Sequence, residues 1–359
     1  MNESLFIQYV KKFMPVLGTI IEKVNGKRGN QQSYLHKTML RKEYSADQKW
    51  TSASVNTTFV AADMVALDSE LPVKQRDSMG KASGILPKIG MKKVLSETQI
   101  NAVNIMKAQG QSETAIANKL VADSIACATG IDETNEANFL TGLSEGAVAV
   151  ADDNNTGTAL RIDFQYLTEN TFGVAATGTI AKDDITKVLD KANADGNTIT
   201  RIMLSLATYN AIRQTDWAKE LVANYRGISA SSAANLPVPS AALFDEAFSD
   251  DTNGVTFIKV DRSIIAEKNG KRHAYKPWND NRLIFLTTED VGALVWGTLA
   301  EVTNPVNGVE YSTVDEYKLI SKYSKNDPLQ EFTSGQALVL PVIENVDQIY
   351  VLDKSQLQA

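Results

Sequence analysis

One stretch of the sequence narrows the choice of folds more than any other: NDPLQEFTSGQALVLPVIENVDQIYVLD, Asn326 to Asp353. Leu338, Val339, Leu340, Val342 and Ile343 cluster in it. After a polar turn at Glu344-Asn345 come Ile349, Tyr350, Val351 and Leu352, so the pattern is that of two apolar strands. A segment this near a chain end frays unless it is tied into a sheet. The ribbon is therefore expected inside a core, and the rest of the fold has to supply the surface on which it packs.

The 359 residues correspond to two domains at the usual size of ~150 residues each. A hydrophobic share of 43% supports a sizeable core and excludes a disordered chain. The single cysteine, Cys127, excludes an internal disulfide and fits a reducing cytoplasm. It falls in an apolar helical stretch, where a buried inert thiol is expected and not a nucleophile. No run of ~20 apolar residues is present to span a membrane. The opening MNESLFIQYVKKFMPVLGTIIEKV has Glu3 ahead of its apolar residues and Lys11-Lys12 interrupting them. A secretory signal has the reverse charge order and an unbroken apolar run, so an amphipathic helix or arm docking on protein is expected.

The net charge of −7 argues against a general nucleic-acid binder, but the charge is unevenly placed. Residues 1–43 hold eight Lys/Arg against three acids, a charge of +5, which leaves −12 for the remainder. A basic arm on an acidic body can meet an anionic surface; a solvated charge mix explains the same residues equally well.

Residues 1–22 read as helix and 23–49 as an extended polar arm. Residues 50–95 alternate in short bursts, which fits two strands with a long connection, a long β-hairpin. Such a hairpin is marginal alone in water, so it is expected to lie on something else. Ser96 opens a helix with Ile100, Val103 and Met106 at apolar spacing, and Gly110 breaks or stops it. Ser112 as N-cap starts a second stretch with Ile116, Leu120, Ile125 and Ala128 on one face and Gly130 as its stop. Together 96–129 make one long, nearly continuous helix, followed by a shorter one over ETNEANFLTGL.

GAVAVADDNNTGTALRIDFQYL then reads as strand, turn, strand. A helix, the strand RIMLSL and a helix over ATYNAIRQTDWAKELVANY capped by Ser205 come next. Residues 225–252 read as loop. Residues 255–288 read as three short strands with a hairpin signal at Asn269-Gly270. EYSTVDEYKLISKYSKNDP is one further alternating strand. The class is α+β, with one long helix, no βαβ alternation and no tandem repeat.

Catalytic motifs are thin. GLSEG, Gly142 to Gly146, matches G-x-S-x-G, but that nucleophile elbow needs a strand before the serine and a helix after it. Here the order is reversed, and only two histidines, among them His273, exist to act as a base. Ser144 is thus a remote hydrolase candidate, and Gly142 reads better as the residue ending a helix. Asp152, Asn154, Thr156, Gly157 and Asp163 imitate half of a calcium loop without the flanking helices or final glutamate; a β-turn is the expected structure. DDTNG, 250–254, is the same kind of turn. There is no phosphate-binding glycine loop, no HExxH and no Cys/His cluster for zinc. No catalytic, cofactor or metal residue is singled out, and no cofactor is expected.

The order of arm, long hairpin, long helix, mixed central domain and returning ribbon resembles the lambda-type major capsid proteins of tailed bacteriophages. The phrases that carry the resemblance are IDFQYL (162–167), RIMLSLATYNAIRQT (201–215), YKPWNDNRLIFLTTEDVGALVWGTLAE (275–301) and KYSKNDPLQEFTSGQALVLPVIENVDQIYVLD (322–353). They cover most of 45–353; the N-terminal arm matches least. The resemblance implies the α+β Hong Kong 97-type fold. Residues 1–44 would be the N-terminal arm and 45–95 the extended loop. A peripheral domain would span 96–174, with its spine helix at 96–129. An axial domain would span 175–300, and 301–359 would return to the peripheral domain, the ribbon lying along the spine helix.

The function so implied is a structural, non-enzymatic major capsid subunit. It would self-assemble into hexamers and pentamers of an icosahedral head enclosing double-stranded DNA. It would be made in the host bacterial cytoplasm and reside in the virion. Implied partners are other copies of itself, scaffold, portal and decoration proteins, and packaged DNA touched weakly by the basic arm; no membrane is implied. No scaffold-like segment of ~100 charged helical residues precedes residue 45, so scaffolding is expected from another chain. Some relatives cross-link a loop lysine to a distant asparagine; Lys81 and Lys88 lie in the corresponding loop, with no marked partner. Two other functions stay open, an encapsulin-like cage holding cargo and, remotely, a hydrolase using Ser144.

Overall fold

A computed structural model describes residues 34–54, 80–110, 113–150, 160–176, 178–228, 236–268 and 270–358. The expected helix at 1–22, the tip of the extended loop, the turn at Asp152–Gly157 and Asn269 lie outside the described residues. In chain order the first elements are α1 (Leu35–Met39), β1 (Leu40–Tyr44), β2 (Lys49–Ser54), β3 (Gly80–Ile85) and β4 (Lys88–Ser96). Next come α2 (Glu97–Ala108), α3 (Glu113–Glu145), β5 (Ala147–Val150), β6 (Leu160–Asp163), β7 (Thr171–Val174) and α4 (Lys182–Ala194). The middle holds β8 (Arg201–Ser205), α5 (Leu206–Gln214), α6 (Asp216–Tyr225), α7 (Ala241–Asp251), β9 (Thr256–Val260), β10 (Ile264–Lys268) and β11 (Lys271–Tyr275). The chain closes with β12 (Arg282–Leu286), β13 (Gly292–Gly297), α8 (Ala300–Thr303), β14 (Glu310–Val314), β15 (Lys318–Lys325), β16 (Gln330–Ile343) and β17 (Ile349–Leu357).

Two compact units divide these elements. The first holds the described residues up to Trp50, Ser83–Phe139 and Ala293–Val342. Its sheet has the order β1-β13-β16-β15-β14, with β4 also paired to β16. The fourteen-residue β16 is its axis, antiparallel to both β15 and β4. Against it α3 lays Cys127 and Ala128, which pack with Ile320 and Val314. Gly335 makes this approach possible: a Cβ there would stand 2.8 Å from the Cys127 Cβ.

The second unit holds Leu140–Gly292 and Ile343–Ala359, with Thr51–Ala82 counted to it where described. Its sheet has the order β7-β17-β12-β8-β9. Register explains its core. Phe285 stands opposite both Ile202 and Tyr350, and Leu283 opposite Leu352. These buried side chains share one face by the two-residue period of a strand. They pack with Ile185 and Val188 of α4, Ile212 of α5, and Phe244 and Phe248 of α7. On the other face Met203, Ile284 and Val351 form a second buried row, so both faces are covered.

Several elements differ from the sequence expectation. The helix expected at 96–129 is two: α2, and an α3 that runs on to Glu145, through Gly130 and Gly142. Neither glycine ends it, because each is there for close packing. A Cβ at Gly130 would run into the Met91 thioether, and one at Gly142 would stand 2.9 Å from the Phe164 ring. The stop is Gly146, at φ +71°, where a side chain would be strained. The expected ribbon also divides. Its first strand, β16, packs with α3 in the first unit, whereas β17 enters the second unit's sheet between β7 and β12, so 343–359 do not return with it.

Within 45–95, expected as a long hairpin, β4 is instead a strand of the first unit's sheet. The helix after Ser205 breaks at Thr215 into α5 and α6, and the stretch expected as loop contains α7, capped by the Ser240 hydroxyl. Four strands, not three, occupy 256–286. Strand β8 runs parallel to β9, with α5–α7 between them in sequence, so one βαβ crossover is present after all. Residues 310–325 form a hairpin, β14–β15, turning through Asp315 and Glu316 at φ 52° and 74°. The Ser205 cap occurs as expected, its hydroxyl accepting from the Thr208 N–H.

Truncating Phe285, at the centre of the second unit's sheet, leaves a cavity that its neighbours cannot collapse into. Phe285→Ala is expected to lower that unit's unfolding free energy by about 3–5 kcal/mol, read by urea denaturation with circular dichroism.

Candidate functional site

The described part of the N-terminal segment starts at a buried charge cluster in the first unit. Helix α1 is too short to stand alone, and α3 holds it. The Glu136 carboxylate accepts from the Leu35 and His36 backbone N–H groups at 3.0 Å each, capping the start of α1. The same carboxylate lies 2.6 Å from His36 Nδ1. Tyr34 donates its hydroxyl to Glu133 at 2.8 Å. Lys37 Nζ donates to Asp132 at 3.1 Å and lies 3.5 Å from Asp315. Lys318 Nζ bridges Asp132 at 2.7 Å and Asp315 at 2.5 Å. His36, Asp132 and Lys318 are fully buried, and Glu136 is nearly so. Three elements thus meet at one ionic knot: α1 of the arm, α3, and the β14–β15 hairpin.

Burial, the largest influence on Glu136, pushes its carboxyl up, but the His36 imidazole and the two backbone N–H groups bring it below its ordinary value. Burial likewise opposes ionisation of Asp315, and Lys318 with Lys37 outweighs it, so that carboxyl is lowered too. Lys37 and Lys318 face the carboxylates of Asp132 and Asp315, and His36 faces that of Glu136. No sequence motif marks this knot. The legible signal was the pair Asp132 and Glu136, spaced i,i+4 on one helix face, in a stripe that also carries the buried Ile131, Asn135 and Phe139.

The catalytic candidate is placed otherwise than a nucleophile would be. Ser144 is buried in the last turn of α3, not on a strand-to-helix turn. Its hydroxyl donates to the Thr141 carbonyl at 3.4 Å and accepts from the Asn279 N–H at 3.3 Å. His273 lies exposed on β11, its ring against Tyr275. Asn279 and Arg282 complete the work of that turn: Arg282 Nη1 donates to the Ser144 carbonyl and its Nε to Asp353. Cys127 is fully buried, its thiol pushed up to about 11 by burial and 3.7 Å from the Thr333 carbonyl. Lys88 is held by Glu301 at 2.9 Å. Among the described residues no three His, Cys, Asp or Glu side chains are grouped to hold a metal. No described helix is long and apolar enough to cross a membrane.

Helix α2 carries almost no core. Val103 alone is buried in α2, and Ile105 beside it is exposed. Among the described residues strands β2 and β3 pair only with each other, as do β10 and β11; Trp50 and Ser52 of β2 are buried, whereas Lys271 through Tyr275 of β11 are exposed.

The sequence matches no protein-family model and no curated protein. Solved structures do match it. A protein assigned as the prophage capsid protein of E. coli CFT073 superposes with a TM-score of 0.54 at 12% identity, over 98% of this chain and 99% of its own. The cyanophage A-1(L) capsid asymmetric unit gives 0.49 at 12% identity, over 91% and 95%. The SrpI encapsulin complex of Synechococcus elongatus PCC 7942 gives 0.42 at 10%, over 93% of each chain. The chain has the Hong Kong 97-type capsid fold, in the α+β class.

Two outcomes follow from the knot. Lys318→Met leaves Asp132 and Asp315 buried without their shared cation and is expected to cost about 3–5 kcal/mol, read as a lower denaturation midpoint. Carboxyls lowered by folding stabilise above their unfolded values and lose that contribution as pH falls through the folded ones. Stability should therefore drop as pH is lowered below about 4.5, the ordinary value of Glu136, and Glu136→Gln should make the drop shallower in a pH series of urea titrations.

Proposed function

We propose that this chain is the major capsid subunit of a tailed-phage-like particle and assembles with copies of itself into a closed icosahedral shell around double-stranded DNA. One observation carries this: its fold is shared, nearly end to end, with the prophage capsid structure. The exposed, weakly cored elements support it. A two-stranded ribbon such as β10–β11 is marginal in water and gains order by burying surface on neighbours. Heterologous contacts that close into rings build shells from one kind of chain. On this reading the first unit corresponds to the peripheral domain and the second to the axial domain, and the role is structural, not enzymatic. Hexamers and pentamers are the assembly units, and scaffold, portal and decoration proteins come from other chains. The arm with its +5 charge touches packaged DNA, and the particle is a virion capsid assembled in the host bacterial cytoplasm.

Purified protein at assembly concentrations is expected to form capsomers and closed shells in negative-stain microscopy, with a matching mass by light scattering. A monodisperse monomer under every assembly condition overturns the proposal. Shells from expressing cells filled with a protein cargo and free of nucleic acid would point to a cargo cage.

A further inference from the structure

Two surfaces of the second unit carry opposite charge and are not paired with each other among the described residues. One is the β10–β11 ribbon. Its root is pinned by Ile264, which is buried, but Lys271 through Tyr275 are all exposed, and Ile265 is 67% exposed. Positions 261–276 hold five Lys/Arg against two acids. Arg272 pairs only with Glu267 on the ribbon itself, and Lys271 makes no ion pair with any described residue. The other is a surface cavity of about 660 Å³. Tyr225 at the end of α6 and Asp245, Glu246 and Asp250 of α7 line it, with Asn253 and Gly254. Asp245 is engaged by Lys259; Glu246 and Asp250 make no ion pair with any described residue.

Among the described residues no ion pair joins the two: Arg272 pairs with Glu267, and Lys271, Glu246 and Asp250 have none. Gly254 leads straight into β9, and β10 leaves from its far end after Val260. Complementary patches left unpaired within one chain can pair head to tail between copies. We infer that the β10–β11 ribbon docks into the acidic cavity of a second copy of this chain. Lys271 and Arg272 then face Glu246 and Asp250, and Ile265 is covered by the neighbour. The inference rests on the shell-subunit reading above and specifies one contact within it.

A charge-swap series tests it. Lys271→Glu with Arg272→Glu places acids against acids at every contact, and assembly yield at a fixed subunit concentration should fall at least about tenfold, like-charge juxtaposition across an interface being costly. Glu246→Lys with Asp250→Lys should fall similarly. All four changes in one chain restore opposite charges at each contact and should recover assembly. Circular dichroism of each variant's dissociated subunit confirms that it folds. Normal assembly of either double variant, or no recovery in the fourfold variant, overturns the inference while the shell reading stands. Reduced retention of DNA by particles of unchanged yield would assign the ribbon to nucleic acid and also overturn it. A wild-type chain that never assembles sinks both.

Discussion

The fold depends on a ribbon whose two strands serve two different sheets. Strand β16 pairs on both sides in the first unit, and β17 lies between β7 and β12 in the second. Each is an interior strand, so neither sheet has a complete hydrogen-bond ladder until the last thirty or so residues of the chain are in place. The partners of β16 and β17 come from as far away in sequence as β4 and β7. Contacts of such sequence separation are formed late and slowly, because loop-closure entropy is spent before they are made. The apolar pattern at the end of the chain is the sequence trace of this constraint.

Electrostatics fixes a second point. Burying Asp132, Glu136, Lys318 and His36 together is not an efficient way to stabilise a core, since the desolvation of buried ions nearly offsets their attraction. What such a knot supplies is position. Glu136 accepts three hydrogen bonds from α1, and Asp132 is reached by cations from both α1 and β15. Sliding α1 by one residue would leave several of these charges buried without partners. The segment that follows the basic arm therefore has one register on α3, and the arm departs from a defined point.

The α+β class, the long helix, the strand at 201–205 and the apolar ribbon were legible because each depends on local periodicity or on a cap such as Ser205. What misled were residues whose role is set by a distant neighbour. Gly130 and Gly142 carry the composition of helix stops, yet their conformations are helical and their missing Cβ makes room for Met91 and Phe164. Asp315 and Glu316 turn left-handed without a glycine or asparagine to announce it, and the ion pairs of Asp315 with Lys318 and Lys37 hold that turn. Thr215 divides a helix whose apolar spacing runs across the break. The ionic knot was the least legible part, since its members lie on three separated segments and share no motif spacing.

At 12% identity over 98% of the chain, what the two proteins share is the path of the backbone. Core positions tolerate such drift as long as volume and pattern are kept. Projecting elements are under a different restraint. A ribbon like β10–β11 has no interior in which to conserve volume, so the chemistry of its exposed residues is free to vary with whatever it touches. Shells built on one backbone can therefore be closed by quite different side-chain pairs, and the pairs that hold a given shell have to be sought on its own surface, where charge is left without a partner.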